Sequence, residues 1–428
     1  MSRVLLIEYF TSGGSLESSP SMALEGYAML RAVAWDLWRS GFKLAIALDR
    51  RAISSLRLPP SIKIKVEPGS LMESIRRASS LANYALIIAP PMAGIHASLT
   101  ALLEELGLNV LGPSASRIAE VTDKARLMHT LSSLGLRTPK TVTLSSKDLD
   151  GLLEAADELG YPMVIKPRDG AGCEGIYVVS AHSQLELVAR GIVSSPSPYI
   201  AQEAIRGIHA SVSLISNGHV AKPLSLNAQF IEWGFKPEYL GGLTPLNHHL
   251  AERVLEESRK CVEALRLKGY VGVDVVIDEA GPCIVEVNPR LTTSYVAVTS
   301  AFSFDPSLGA CIVKACAGDL DPRAVTSTLR GYCALMKVLA PREVNLDEDF
   351  ASKLWSFKGV YAVAPLTGLI QPGLPVALVR VTKPSPKSAE RSSRLIANKV
   401  TYALQVLRPQ QSSMYRGPDQ DSLNSNTA

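Results

Sequence analysis

The sequence lacks any long apolar run. No stretch of the 428 residues reaches the roughly 20 apolar positions needed to span a bilayer. After Met-Ser-Arg, the apolar run from Val4 to Ile7 is shorter than a secretory h-region and reaches no small-residue cleavage site, so no leader is expected. Cysteine pairs are missing as well. Cys173, Cys261, Cys283, Cys311, Cys316 and Cys333 form no C-x-x-C and no Cys/His zinc spacing, which fits free thiols in a reducing cytoplasm. Nor is there a surplus of charge. The 44 basic and 40 acidic residues leave a net charge of +4 with no long basic run, which argues against nucleic acid as a partner. Internal repeats are absent too. The expectation is a cytoplasmic protein that binds small molecules and neither nucleic acid nor membrane.

What is present is a chain that is 46% hydrophobic and too long for one compact core, which implies two to four domains or subdomains. Up to about residue 112, short strand-like runs (3–10, 43–48, 62–66, 84–89) alternate with helical patterns (21–40, 71–82, 95–106). That order predicts a parallel sheet covered on both faces. Residues 114–135 read as helical, with Leu127, Leu131 and Leu134 on one face. From about 140 to 320, strands joined by glycine-rich turns predict α+β architecture, with strands at 163–166, 175–179, 212–216, 271–277 and 283–287. The chain then becomes strand-rich again (333–339, 360–364, 376–381) and closes with a helix over 389–407. The last twenty residues are polar and expected to be disordered.

The chemistry concentrates in two apolar strands that each carry a carboxylate. Asp274 lies in V-G-V-D-V-V-I and Glu286, twelve positions on, in I-V-E-V-N. Paired antiparallel, the strands can set both carboxylates on one face, and Asn288, two residues beyond Glu286, points the same way. Hard oxygen donors without histidine or thiolate suit Mg²⁺, which takes one or two carboxylates plus substrate phosphates. The plain alternative is the solvent face of an edge hairpin. Two charges interrupting strongly apolar strands weigh against it, because an unpaired buried charge is costly. Arg290, just past the strand, can neutralise charge on a transferring phosphoryl group.

Lys166 ends the apolar run M-V-I-K-P and precedes R-D-G-A-G-C-E-G-I. Gly170, Gly172 and Gly175 let backbone amides approach phosphate oxygens, and Lys166 supplies a point charge. The pattern is not a Walker A loop, and a hairpin turn would read the same way. Lys124 (T-D-K-A-R) read alone is a solvated lysine. Ser12-Gly13-Gly14-Ser15 follows the first strand but lacks G-x-G-x-x-G, so a nicotinamide cofactor is not indicated.

Together these residues resemble the ATP-grasp superfamily, from the N-terminus to about residue 310. The order is T-D-K at Lys124 with L-G-L-R-T-P (134–139), Y-P-M-V-I-K-P (161–167), the glycine loop, I-A-Q-E-A-I (200–205), G-V-D-V-V-I and E-V-N-P-R. The resemblance implies a Rossmann-like pre-ATP-grasp domain (1–113), an α+β ATP-grasp domain (114–320), a small β-rich C-terminal α/β domain (321–408) and a tail (409–428). It further implies that Lys124 and Lys166 bind ATP phosphates under a mobile flap from Gly170 to Gly175. Gln202, Glu203 and Ile205 would line the adenine slot, with Glu203 near its exocyclic amine. His209 takes the position where many relatives carry a ribose-contacting acid. Asp274, Glu286 and Asn288 would hold two Mg²⁺ ions, with Mn²⁺ as the alternative metal, and Arg290 would steady an acyl phosphate. The C-terminal section carries V-R-V-T-K-P-S-P-K-S-A-E, similar to carboxylase-like members. No Met-Lys-Met biotin-attachment signal occurs, since Met336-Lys337 is followed by Val338.

Finer features are similar to a mainly archaeal group that includes tyramine–glutamate ligases: E-Y-F-T-S-G-G at the start, S-L-N-A-Q (225–229), Y-L-G-G-L-T-P (239–245) and N-P-R-L-T-T-S-Y (288–295). The implied activity is an ATP-dependent ligase joining a glutamate-like acid to an amine such as tyramine through an acyl phosphate, with ADP and phosphate released. Arg290 with Thr292, Thr293 and Ser294 would hold the acid, while Glu8, Glu25 or Trp233 would either meet an aryl amine or serve ordinary packing and surface charge. A homodimer is an expected assembly. Three other readings stand beside it: a carboxylase-like enzyme activating bicarbonate, a lysine- or pyrrolysine-pathway type of amino-acid ligase, and a nucleotide-binding regulator without catalysis.

Overall fold

The computed structural model describes residues 2–14, 19–52, 56–67, 69–365 and 368–406. Ser15, Leu407 and the expected tail at 409–428 lie outside them. The N-terminal section folds as predicted. Five parallel strands run in the order Ile62–Val66, Lys43–Asp49, Arg3–Glu8, Tyr84–Ile88, Asn109–Val110. The central strand is apolar along both faces because both are covered. Val4 and Leu6 pack in the core that holds helix Pro20–Arg39, whereas Leu5 and Ile7 join helices Leu71–Ser79 and Ile95–Glu105. The strand order reverses between Arg3–Glu8 and Tyr84–Ile88. Sheets of this kind bind ligands at the carboxyl ends of the strands flanking such a reversal.

Glu8 is the last residue of the central strand and is 1% exposed. Its carboxylate accepts from the backbone N–H groups of Phe10 (3.2 Å) and Thr11 (2.8 Å). Helix Pro20–Arg39 passes so close that a Cβ on Gly26 would sit 2.2 Å from Glu8 Oε1. Burial pushes the carboxyl up to about 7, against the opposing pull of those hydrogen bonds.

Beyond residue 113 the sheets are antiparallel. A four-stranded sheet (Thr141–Thr143, Tyr199–Glu203, Met163–Pro167, Tyr177–Val179) is backed by helices Leu149–Leu159 and Leu185–Ile192. An eight-stranded sheet follows the order Gly281–Asn288, Lys268–Asp278, Ile208–Asn217, Ala221–Glu232, Glu238–Thr244, Tyr332–Leu339, Pro375–Lys383, Val360–Val363. Glu238–Thr244 pairs antiparallel with Tyr332–Leu339, so this sheet crosses the expected boundary at 320 without a break. The core is shared in the same way. Leu30 and Val33, Tyr295 and Ile312, and Leu335 and Val379 all belong to one buried cluster. The partition into 1–113, 114–320 and 321–408 therefore stands as our proposal about domains, with its second border crossed by backbone pairing.

The helical stretch over 114–135 is two helices, Ala115–Thr122 and Lys124–Ser133. Asp123 breaks it with extended backbone (φ −76°, ψ 100°) and caps the second helix, its carboxylate accepting from Arg126 N at 3.2 Å. Arg168 holds the same carboxylate from the strand side. The break sets Lys124 in the first helical turn, facing inward.

Glu8 yields a test of this architecture. Its folded value near 7 lies above the ordinary 4.5, so the native state binds the extra proton and stability falls as pH rises between those values. Glu8→Gln removes that loss. The melting temperature of the variant, relative to wild type, should be higher at pH 8 than at pH 5; an equal difference at both pH values would refute the buried-carboxyl account.

Candidate functional site

A single large cavity gathers residues from all three sections. Val164, Lys166, Gln202 and Glu203 come from the four-stranded sheet and Ile205 from the connection that leaves it, while His209, Asp274 and Glu286 come from the eight-stranded one. Glu8, Phe10 and Glu25 close it from the N-terminal side.

The two carboxylates meet as their spacing predicts. Asp274 and Glu286 are direct register partners across an antiparallel pair, with a bulge just after Asp274. Gln229 Nε2 donates to Asp274 Oδ1 and Asn288 Nδ2 to Oδ2, each at 2.9 Å. Burial and then the neighbouring Glu286 charge raise the Asp274 carboxyl to about 7. Such a pair is short of positive charge. Two carboxylates and an amide oxygen, facing a cavity, fit a hard divalent cation that draws its remaining ligands from phosphate and water. No group of three or more His, Cys, Asp or Glu suited to a metal occurs among the described residues. The donor set therefore fits an ion shared with a substrate and not an all-protein cage.

Both lysines are buried beside Glu286. Lys124 is 3% exposed, lies 3.4 Å from Glu286 Oε1 and donates to the carbonyl of Gly170 at 2.5 Å. Lys166 is 6% exposed and donates to the carbonyl of Val285 at 3.3 Å. Burial lowers Lys166 to about 8; Glu286 pulls it up and Lys124 pushes it down. The two ammonium groups offset the two carboxylates, Glu286 and Asp274, and the guanidinium of Arg290 adds further positive charge beside them.

The glycine loop between Met163–Pro167 and Tyr177–Val179 takes left-handed backbone at Gly172 (φ 66°), Cys173 (φ 66°) and Gly175 (φ 71°). Ala171, Gly172 and Cys173 line the cavity, whereas Gly170 and Gly175 are not among the residues lining it. Glu174 is hydrogen-bonded to Ser19, the N-cap of helix Pro20–Arg39, which docks the loop on the N-terminal section.

Gln202 is buried and donates to Thr141 Oγ1 at 2.8 Å. Glu203 Oε1 accepts from Lys140 N at 2.9 Å, and Ile205 lines the wall near it. His209 stacks at 4.9 Å on Trp233, and both line the cavity; burial lowers the imidazole. Arg290 donates to the carbonyl of Leu291 at 3.0 Å, with Nη2 3.5 Å from Asn288 Oδ1, and burial lowers its guanidinium. Thr292, Thr293 and Ser294 follow at the cavity wall, with the Thr292 and Ser294 hydroxyls 2.8 Å apart and Tyr270 OH 3.1 Å from Ser294.

Residues 121–294 match the family model described as the ATP-grasp domain.

The chain carries an ATP-grasp domain.

The matched span of that domain holds Lys124, Lys166, Asp274, Glu286 and Arg290. Over 254 residues the chain is 29% identical to a tyramine–L-glutamate ligase of Methanocaldococcus jannaschii, covering 59% of this chain and 68% of that one. A tyramine–L-glutamate ligase of Methanocaldococcus fervens is 30% identical over 54% of this chain and 65% of its own length. The chain thus spans about two thirds of these relatives. Among solved structures, an ATP-grasp superfamily protein from Archaeoglobus fulgidus superposes with a TM-score of 0.59 at 25% identity, over 87% of this chain and 99% of that one. The relatives' enzyme class agrees with the class expected from the motifs.

Several residues that figure in the sequence only within family-like stretches, with no role of their own, stand at the site. Gln229, Asn227 and Ser225 sit on strand Ala221–Glu232, and Asn227 bonds to Ser213 and Thr244 while Gln229 holds Asp274. The signal was there, in the alternation of S-L-N-A-Q, which puts its polar residues on one face. Tyr239 figures only as the start of Y-L-G-G-L-T-P, and Lys337 only in excluding a biotin-attachment signal.

Charge-assisted hydrogen bonds contribute about 1.5–3 kcal/mol, so Lys166→Met should weaken ADP binding by roughly 10- to 100-fold. Calorimetric titration with ADP reads this. Affinity within twofold of wild type, in a cooperatively melting variant, would remove Lys166 from the nucleotide site.

Proposed function

We propose that the protein is an ATP-dependent carboxylate–amine ligase that forms an amide through an acyl phosphate and releases ADP and phosphate. The observation that carries this reading is the meeting of Asp274, Glu286, Lys166 and Arg290 in one cavity, with Lys124, which is not among the residues lining it, 3.4 Å from Glu286 Oε1. That set binds and neutralises phosphoryl groups and contains no histidine or cysteine nucleophile, so catalysis rests on positioning and charge.

ATP is the first substrate. Lys124 and Lys166 take its phosphates, the backbone at Ala171 to Cys173 covers them, and Gln202, Glu203 and Ile205 flank the base. Trp233 and His209 offer an aromatic and an imidazole face beside it. Asp274, Glu286 and Asn288 would hold Mg²⁺, which supplies charge neutralisation on phosphate oxygens when bound. Arg290, whose guanidinium lies beside Asn288, holds the carboxylate to be activated and offsets the charge it gains. Thr292, Thr293 and Ser294 orient the rest of the acid. The docked glycine loop excludes water, which would otherwise hydrolyse an acyl phosphate.

We further propose a glutamate-like acid and an arylalkyl amine of the tyramine kind as the substrates. The support is the similarity to the two tyramine–L-glutamate ligases and the wall of hydroxyls following Arg290.

The test is ADP release from ATP and Mg²⁺ across a panel of amino acids and amines, with mass spectrometry of the condensed product. ADP release should require both an acid and an amine. Release with bicarbonate and no amine would replace this reading with a carboxylase-like one. Glu286→Gln and Arg290→Ala should each lower kcat by about 10²–10³, the cost of deleting one preorganised charge-stabilising group, while melting remains cooperative. Near-full turnover in either variant would overturn the assigned roles.

A further inference from the structure

The N-terminal part of the cavity wall has a composition that phosphate binding does not explain. Phe10, Met22, Met29 and Pro90 make it apolar, and its ionising groups are two carboxylates, Glu8 and Glu25. It lies at the carboxyl ends of strands Arg3–Glu8 and Tyr84–Ile88, where the parallel sheet reverses order. A wall that is acidic and greasy repels carboxylates and phosphates and attracts a cation with an apolar body.

Glu25 is held in a fixed pose from two directions. Lys337 Nζ, on strand Tyr332–Leu339, lies 2.7 Å from Glu25 Oε1, with the lysine side chain 2% exposed and the glutamate 13%. Thr293 Oγ1, in the loop after Arg290, donates to Oε2. The ammonium of Lys337 is itself spread over Ser21 Oγ at 2.7 Å and the Tyr239 ring at 5.0 Å. Lys337 is not among the residues that line the cavity, whereas Glu25, Thr293 and Tyr239 are. The lysine thus stands behind the wall and the carboxylate forms it. A buried cation so placed costs desolvation energy that a simple packing role does not require, since an apolar side chain of similar volume would fill the space.

We infer that Glu25 is the receptor for a substrate's primary ammonium group, and that Lys337, from beyond the matched domain, is the positioning residue that fixes it. The inference rests on the ligase reading and deepens it by locating the amine-bearing end of the site. The ammonium belongs either to the amine that is joined or to the α-position of an amino acid that is activated. Both offer the same chemistry to Glu25. In either case Thr293 couples the receptor to the segment that carries Arg290, so docking of the ammonium and of the carboxylate are linked through one short loop.

Binding measurements separate these possibilities and stand apart from turnover. Full-length protein saturated with ADP and Mg²⁺ is titrated calorimetrically with tyramine, hexylamine and L-glutamate, and with the N-acetyl forms of tyramine and L-glutamate, which lack the ammonium. Wild type should prefer a free amine over its N-acetyl form. Glu25→Gln should weaken that free amine tenfold or more and abolish the preference, with ADP affinity within twofold of wild type. Lys337→Met should reproduce the loss and Lys337→Arg should recover most of it. A loss confined to tyramine and hexylamine assigns the ammonium to the joined amine, and one confined to L-glutamate assigns it to the activated acid. Unchanged binding of every probe in Glu25→Gln, or no binding of any probe by wild type, overturns the inference. A Lys337→Met variant that lowers the melting temperature but leaves probe affinity intact removes Lys337 from the assignment. Probes that bind as expected without ADP release in any acid–amine combination would sink the ligase reading and leave the receptor standing.

Discussion

The charges at the Asp274 end of the cavity are organised around the carboxylate of Glu286. It faces Asp274 in register, close enough to push the Asp274 carboxyl up to about 7, and it also draws in the buried ammonium of Lys124. Two anions and two cations in a space shielded from water are stable only if their geometry is fixed, because each left alone would meet a desolvation penalty of several kcal/mol. The surrounding structure supplies that geometry. Strand pairing fixes the anions, a helix start fixes Lys124, and a strand end fixes Lys166. Gln229 and Asn288 occupy both oxygens of Asp274, so it cannot swing away from its partner. The result is a charge pattern preset by the fold.

The sequence revealed the parts with strong periodicity or punctuation. Alternating apolar strands and helices declared the parallel sheet, and the carboxylates of Asp274 and Glu286 stood out because they interrupt apolar runs. Lys166 reads as a point charge at a strand end, but Lys124 does not stand out. Lys124 read alone is a surface residue, and its burial depends on Asp123 ending one helix and capping the next, a local event hidden within a long helical pattern. The strands Ala221–Glu232 and Glu238–Thr244 were missed because proline, glycine and scattered polar residues blur their alternation. Their polar positions face the cavity and therefore break the rule that buried faces are apolar. Lys337 shows the firmest limit. Nothing near it in the chain predicts an ion pair with a residue more than 300 positions away; only the folding of helix Pro20–Arg39 against strand Tyr332–Leu339 creates it.

The three sections also meet through groups outside the cavity. Tyr295, fully buried, donates to Asp36 Oδ2 at 2.8 Å, and the same oxygen accepts from Gly309 N at 2.6 Å. Asp36 thereby anchors the N-terminal helix to the segment that follows Arg290. With Glu174 bonded to Ser19 at the other end of that helix, one long helix touches both the glycine loop and the segment that follows Arg290.

The unbroken eight-stranded sheet has a consequence for how such a chain can change over time. Cutting or exchanging the sequence near residue 320 would strip Glu238–Thr244 of its neighbour and leave a row of open backbone donors and acceptors along its edge. A raw edge of that kind recruits other chains, so the last section cannot be swapped as an independent cassette. Any replacement for that section would have to restore the pairing that Tyr332–Leu339 gives Glu238–Thr244.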